Sequence, residues 1–346
     1  MLGLDRTAAR YTWTAAAILL LLAFIYGIRG TLFLFTLAVL FAYLISPAVE
    51  LLDRALPGRA RTLALAIVYV LFIGVVVIVV TQIGSRVVDQ ARILALKFPS
   101  MLGEVQKQTE KHPDAVSSLQ DQLLTNIRNG ITQKTNELIG ALPNAGLKIV
   151  SAATNVIYVV IVPILAFFFL KDSVLIRSHL LSLADTSPAM RSFADGLMED
   201  IHALLARYMR ALVVLSLSTF TAYSTFFTLM DVPYGVLLAV LAMMLEFIPM
   251  IGPLVAGTAI VIVAAVAGSH VLAVLIFLLA FRMFQDYVLS PHIMGQGVEL
   301  HPLLVLFGVF AGAEVAGVAG SFLSVPLLAL IRILYLRMRR QRLATE

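Results

Sequence analysis

Apolar residues run along this chain in long unbroken blocks, separated by short charged punctuation. A helix needs about 20 mostly apolar residues to cross a bilayer. Five uncharged blocks approach or meet that length and are predicted to span in order: Thr12–Ile28, Gly30–Val49, Thr62–Ser85, Ile149–Leu170 and Ala211–Met230. The first is slightly short and follows Arg6 and Arg10, as a signal peptide would. No small-x-small cleavage site closes it and a second block follows at once, so it is expected to be a retained helix.

Two stretches depart from this pattern. Arg86–Lys148 is polar and of mixed charge, yet Val88, Ala91, Leu94, Ala95 and Phe98 recur at helical spacing. So do Leu119, Leu123, Leu124, Ile127 and Ile131. With interruptions expected at Pro99 and His112–Asp114, two or three amphipathic helices outside the membrane core are predicted. A polar linker is the plainer alternative, but linkers do not keep such a period. Leu175–Arg210 is likewise amphipathic. Its Asp185-Thr186-Ser187-Pro188 start places Ser187 as a cap and Pro188 at the first helical position. It is expected to lie along the headgroups.

The last third is broken rather than periodic. Val232–Leu245 and Leu254–Gly268 are each too short to cross comfortably, and Glu246–Pro253 (EFIPMIGP) separates them. Prolines and a glycine in apolar sequence stop one helix and start another. The predicted form is a re-entrant hairpin with its turn at Pro249–Pro253. After a span at His270–Leu289, Pro302–Ala313, Glu314 and Val315–Ile331 repeat the design. Glu246 is followed by Pro249 and Gly252, three and six residues on, and Glu314 by Gly317 and Gly320 at the same steps. Two hairpins separated by one span enter from opposite faces, which is an inverted repeat. Two tilted thin spans in place of each hairpin stay open as the alternative.

Composition supports the bilayer. The 346 residues are 60% hydrophobic and 13% charged, with a mean hydropathy of +0.97. Soluble domains carry about 25% charged residues. The absence of cysteine excludes disulfide frameworks and thiolate chemistry. The net charge of +5 matters through its placement. Arg54, Arg59, Arg61, Lys171, Arg177 and the C-terminal Arg337, Arg339, Arg340 and Arg342 sit on one side of the predicted topology. The positive-inside rule then puts both termini in the cytoplasm and Arg86–Lys148 outside. The expected organisation is a three-helix scaffold (1–85), an extracytoplasmic helical segment (86–148), a fourth span with an interfacial helix (149–206), a transport unit (207–336) and a basic tail (337–346). The fold class is an all-α polytopic membrane protein of five to six full spans plus two re-entrant hairpins, or about eight to ten hydrophobic segments.

Ionisable residues in apolar sequence are costly and tend to face a cavity or a partner. Glu246, Arg282, Asp286 and Glu314 meet that description, with Gln285 between two of them. Each has a plainer reading. Arg282 and Asp286, four apart, neutralise each other, and Glu246 caps a half-helix. Pro249, Gly252, Pro253, Gly317 and Gly320 free backbone groups that can bind a cation or polar solute. Asn155 reads as a helix–helix contact. His292 and His301 lack a zinc spacing, no metal or cofactor is expected, and no nucleic-acid module, phosphate loop, nucleophile elbow or HExxH is present.

Three segments carry a family resemblance: Ala42–Pro47 (AYLISP), Glu246–Pro253, and the block Arg282–Pro326 with Pro291–Gly295, Leu300–Leu303, Gly317–Gly320 and Val325-Pro326. In them the chain resembles the autoinducer-2 exporter family over nearly its whole length. The resemblance implies a permease of the bacterial inner membrane and a homo-oligomer, a pentamer, with a moving transport unit. Some members are associated with autoinducer-2 export and others with exchange of Na⁺ or Li⁺ for H⁺. Glu314 departs from the family pattern, where an apolar residue or glycine is expected. Three functions follow for testing: a secondary transporter exporting a small polar solute on H⁺ or Na⁺, a cation/proton antiporter without organic substrate, and a non-transporting scaffold.

Overall fold

The computed structural model describes residues 6–56, 61–111, 156–183, 187–294 and 300–345. Among these residues the regular elements are all helices. The predicted helices 119–131, Asn155 and Gly295 lie outside them. In chain order they are α1 (Arg6–Gly27), α2 (Arg29–Ala55), α3 (Arg61–Val79), α4 (Ser85–Lys111), α5 (Val156–Lys171), α6 (Ser173–Leu183), α7 (Pro188–Leu229), α8 (Gly235–Leu245), α9 (Ile251–Val266), α10 (Val271–Phe284), α11 (Ser290–Met294) and α12 (Pro302–Thr345). Among the described residues, six helices are long and apolar enough to cross a membrane. The chain is therefore an all-α polytopic membrane protein. Leu19, Leu22, Val75, Ile78 and Leu279 are exposed on such helices, as expected where hydrocarbon and not water is the solvent.

The chain divides into two compact units. The first holds α1, α2, the start of α3 and α5. Ala38, Leu40, Ala42, Ile45 and Val49 form the buried face of α2, and α2 packs on α5, whose Val162, Ala166 and Leu170 are buried. Phe35 and Phe169 meet edge to face at 6.0 Å. Arg61 donates to the Leu170 carbonyl at 3.2 Å and to Ser173 Oγ at 2.9 Å. A cation there satisfies carbonyls that the end of α5 leaves open. It also places the start of α3 beside the end of α5.

The second unit holds the remainder, including α4 and α7–α12. The start of α7 forms as predicted: Ser187 Oγ accepts from the Met190 N–H at 3.2 Å, with Pro188 in the first turn. Two expectations need correction here. Leu175–Arg210 is not a separate surface helix. It is divided between α6 and the first part of α7, a helix of 42 residues that runs without interruption into the Ala211–Met230 span. Nothing near Arg210 breaks a helix, and Leu204, Leu205 and Met209 are buried. Nor does Pro99 end its helix, since α4 continues to Lys111. Phe98, fully buried, anchors the chain just before it.

Two helical hairpins follow. In the first, α8 and α9 pack on each other, α8 also on α7 and α9 also on α10. Residues from both ends, Val232 and Leu237 at the start and Val266 and Val271 at the close, share one core with Val87–Phe98 of α4. The chain therefore returns to the end from which it set out. At about 1.5 Å per residue α8 is about 16 Å long and α9 about 24 Å, short of the roughly 30 Å hydrocarbon core. The second hairpin lies within α12, whose helical dihedrals fail at Ala316 and Gly317. Its two arms run back along each other. Ser321 Oγ donates to the Val309 carbonyl at 3.1 Å, Gly308 faces Ser324 and Leu328, and Gly312 faces Gly320. The breaks fall where the proline and glycine pattern placed them.

Candidate functional site

The turn of the first hairpin is built on strain and close approach. The Ile251 N–H donates to the Pro249 carbonyl at 2.7 Å, a three-residue turn centred on Met250 at φ 66°, ψ −50°. That conformation is rare for a residue with a side chain. Gly252 is needed beside it, because a Cβ there would collide with the Leu245 carbonyl. Pro253 follows in the first turn of α9, where a missing N–H loses nothing. The outcome fixes Glu246 at the C-terminal end of α8, 9% exposed.

Three elements converge on that carboxylate. Gln285 Nε2 donates to Glu246 Oε1 at 2.8 Å. Thr219 Oγ1, on α7, donates to Oε2 at 3.3 Å and accepts from Gln285 Nε2 at 3.4 Å. Arg282 Nη1 stands 3.8 Å from Glu246 Oε1. Arg282 Nε in turn donates to Asp286 Oδ2 at 2.8 Å. Thr219 and Gln285 are 2% and 3% exposed, whereas the Arg282 and Asp286 side chains are 39% and 46% exposed. The cluster thus has a buried floor and a half-open rim.

Helical spacing explains why Gln285 points inward between two exposed neighbours: it lies seven residues after Leu278, on the face that also buries Val271 and Val274. Helix α10 widens into a π-turn at Gln285–Leu289, and the Ser290 N–H reaches the Gln285 carbonyl. One extra residue in the turn rotates the side chains that follow, and such bulges recur at functional sites. Beneath the cluster, Tyr223 packs edge-on against Phe277 and Phe281, each at 5.3 Å. Ser216 on the same face of α7 donates to the Leu212 carbonyl. On the hairpin side Phe247 meets Phe322 of the second hairpin at 5.8 Å.

Of the predicted residues, the structure brings together Glu246, Arg282, Gln285 and Asp286. Glu314 is exposed near the turn of the second hairpin, outside this cluster. Gly317 there adopts φ 61°, and Gly320 packs against Gly312. His292 and His301 make local contacts with backbone groups of Val288 and Leu303. Thr219 was missed by sequence reasoning. Its only signal was the run of hydroxyl residues in the apolar block after Arg210, which also occurs in ordinary spans.

Known proteins resemble the chain over the same extent. It is 24% identical to YrrI of Bacillus subtilis (strain 168) over 318 residues, covering 88% of this chain and 86% of that one. It is 28% identical to MT0215 of Mycobacterium tuberculosis (strain CDC 1551 / Oshkosh) over 346 residues, 94% of this chain and 89% of that one. PerM of Escherichia coli (strain K12) is 26% identical over 331 residues, 92% and 91% of the two chains. These names place the relatives in transport and state no substrate. Residues 15–340 match the family described as AI-2E family transporter. With its apolar helices, its paired hairpins and that match over nearly its whole length, the chain belongs to the AI-2E transporter family.

Proposed function

We propose that this membrane transporter is a secondary exporter of a small polar solute, autoinducer-2-like in size and polarity, driven by H⁺ or Na⁺, with the Glu246 cluster as its ion and solute site. The observation that carries the reading is the Glu246–Gln285 pair: a buried carboxylate held at the turn of a half-length helical hairpin, beside a half-open rim of Arg282 and Asp286. Broken helices that meet near the midplane are where transporters of inverted-repeat design bind cargo. Their freed backbone groups and a charged rim supply the donors and acceptors a polar solute needs.

A second reading, cation/proton antiport without an organic substrate, is favoured by one feature. Glu246 and Asp286 are two carboxylates facing one guanidinium, Arg282. The cluster therefore carries a surplus acidic group to exchange a proton for a monovalent cation. In either case both hairpins are re-entrant, the membrane is the bacterial inner one, the termini are cytoplasmic, and the oligomer is the pentamer that the family resemblance implies.

Flux in proteoliposomes under imposed H⁺ and Na⁺ gradients, with a panel of solutes, tests both. Solute efflux that follows one gradient supports the exporter. A sodium-triggered pH change with no solute flux supports the antiporter instead. Full activity in Glu246→Gln would remove the cluster from either scheme.

A further inference from the structure

The amphipathic helix α4 is seated on the mouth of the first hairpin. Val87, Ala91, Leu94 and Phe98 recur on one face and are buried in the core that holds Leu237, Leu238 and Ile260 of α8 and α9. At this seam Gln90 Oε1 accepts a hydrogen bond from the Leu237 N–H at 2.9 Å. Leu237 lies in the first turn of α8, where backbone N–H groups have no partner within their own helix. The residue ahead of α8, Tyr234, is left-handed and gives no side-chain cap. An acceptor borrowed from another helix therefore does the work of a cap.

The same turn is gripped a second time, since Tyr234 Oη approaches Met101 Sδ at 4.0 Å. Asp231 at φ 48° and Tyr234 at φ 62° are both in the left-handed region, which side chains enter only when their surroundings hold them there. Helix α4 is joined to α3 through a π-turn at Val80–Gly84, an irregular step at which a helix can change direction. A π-turn, an apolar seat and a borrowed cap thus lie on one segment.

We propose that α4 is a latch on the first hairpin and that Gln90 is its positioning contact. Seated, it holds α8 and so the turn that carries Glu246. Released at the Val80–Gly84 step, it lets the hairpin move. The proposal rests on the reading of that hairpin as the moving element of transport.

The chain has no cysteine, so Ala91→Cys introduces a single thiol at a position 1% exposed. Full-length protein in lipid nanodiscs, which present both membrane faces, is treated with a hydrophilic maleimide with and without Gln90→Met. Methionine keeps the length of the side chain and removes the carboxamide acceptor. Labelling is expected to rise about five-fold, the equivalent of one net hydrogen bond. Flux in proteoliposomes is expected to rise with it, while the melting temperature falls by no more than about 2–4 °C. Val87→Cys, 5% exposed, serves where Ala91→Cys does not accumulate. Flat labelling overturns the latch. So does labelling that rises while flux and melting temperature fall together, because that assigns α4 a structural role. Labelling needs no turnover, so failure to transport any solute or ion would count against the proposed function and leave the latch measurable.

Discussion

The Gln285 amide donates to Glu246 Oε1 across 2.8 Å, joining residues 39 positions apart on separate helices. Both side chains are buried, and Thr219 closes the triangle from a third helix. A polar group in such surroundings is stable only while its partners stay in place.

Removing the donor should therefore do more than remove one bond. Gln285→Leu leaves a buried carboxylate oxygen short of its best partner, which costs about 1.5–3 kcal/mol. A lower melting temperature and reduced flux are expected together. Glu246→Gln should keep the fold, since an amide can still meet Thr219, but lose the response of flux to an imposed proton or sodium gradient. Gradient-driven flux that survives Glu246→Gln would sink the proposal.

Thr219 separates shape from chemistry. Thr219→Val preserves volume and deletes the hydroxyl that links Glu246 to Gln285, with an expected loss of about 1–2 kcal/mol. Thr219→Ser keeps the hydroxyl and should retain flux to within a few-fold. Equal flux in the two variants would show that the hydroxyl is dispensable.

Arg282 serves two carboxylates, Asp286 at 2.8 Å and Glu246 at 3.8 Å. If Glu246 and Arg282 act as one site, their effects on flux cannot add. Arg282→Gln and Glu246→Gln are each expected to abolish most flux, and the double variant to be little worse than either. Additive losses in this cycle would show that the two act separately.

The hairpin turns depend on particular glycines. Gly252→Ala forces a methyl group into the Leu245 carbonyl, an overpacking of about 1–3 kcal/mol. Gly317→Ala is strained for a different reason, its φ of 61° with ψ of −144°, again at about 1–3 kcal/mol. Gly257→Ala is the control, since its nearest neighbour would be Leu278 Cδ1 at 4.0 Å. Thermal melts in detergent should rank the control well above both.

Sidedness tests the hairpins as re-entrant elements. In the cysteine-free chain, Ile251→Cys should react with an impermeant thiol reagent from outside and Ala319→Cys from the cytoplasmic face. Labelling of Ile251→Cys from the cytoplasm alone would replace the first hairpin with a pair of tilted spans.

Sequence by itself settled what depends on local composition. Unbroken apolar blocks specified membrane helices, because hydrocarbon accepts only segments whose backbone groups are satisfied internally. Ser187 and Pro188 marked the start of α7, and the proline and glycine runs marked both hairpin turns, because caps and forbidden dihedrals act within a few residues. Glu246 stood out because a carboxylate in apolar sequence needs a reason.

Tertiary structure decided everything that requires partners from distant helices. Gln285 was legible in the sequence as a polar residue between Arg282 and Asp286 in an apolar span, but its partner was not. The inward aim of Gln285 comes from its place on the face of α10 that buries Val274 and Leu278, and its bond to Glu246 from the packing of α10 against the hairpin. Thr219 was one of many hydroxyls in α7, Glu314 matched Glu246 in spacing yet lies outside the cluster, and Gln90 was one polar residue among several on α4. Hydropathy and backbone breakers are properties of a short stretch of chain. Which buried donor meets which acceptor is fixed only when the helices pack, and at that level the Glu246 cluster and the seat of α4 came into being.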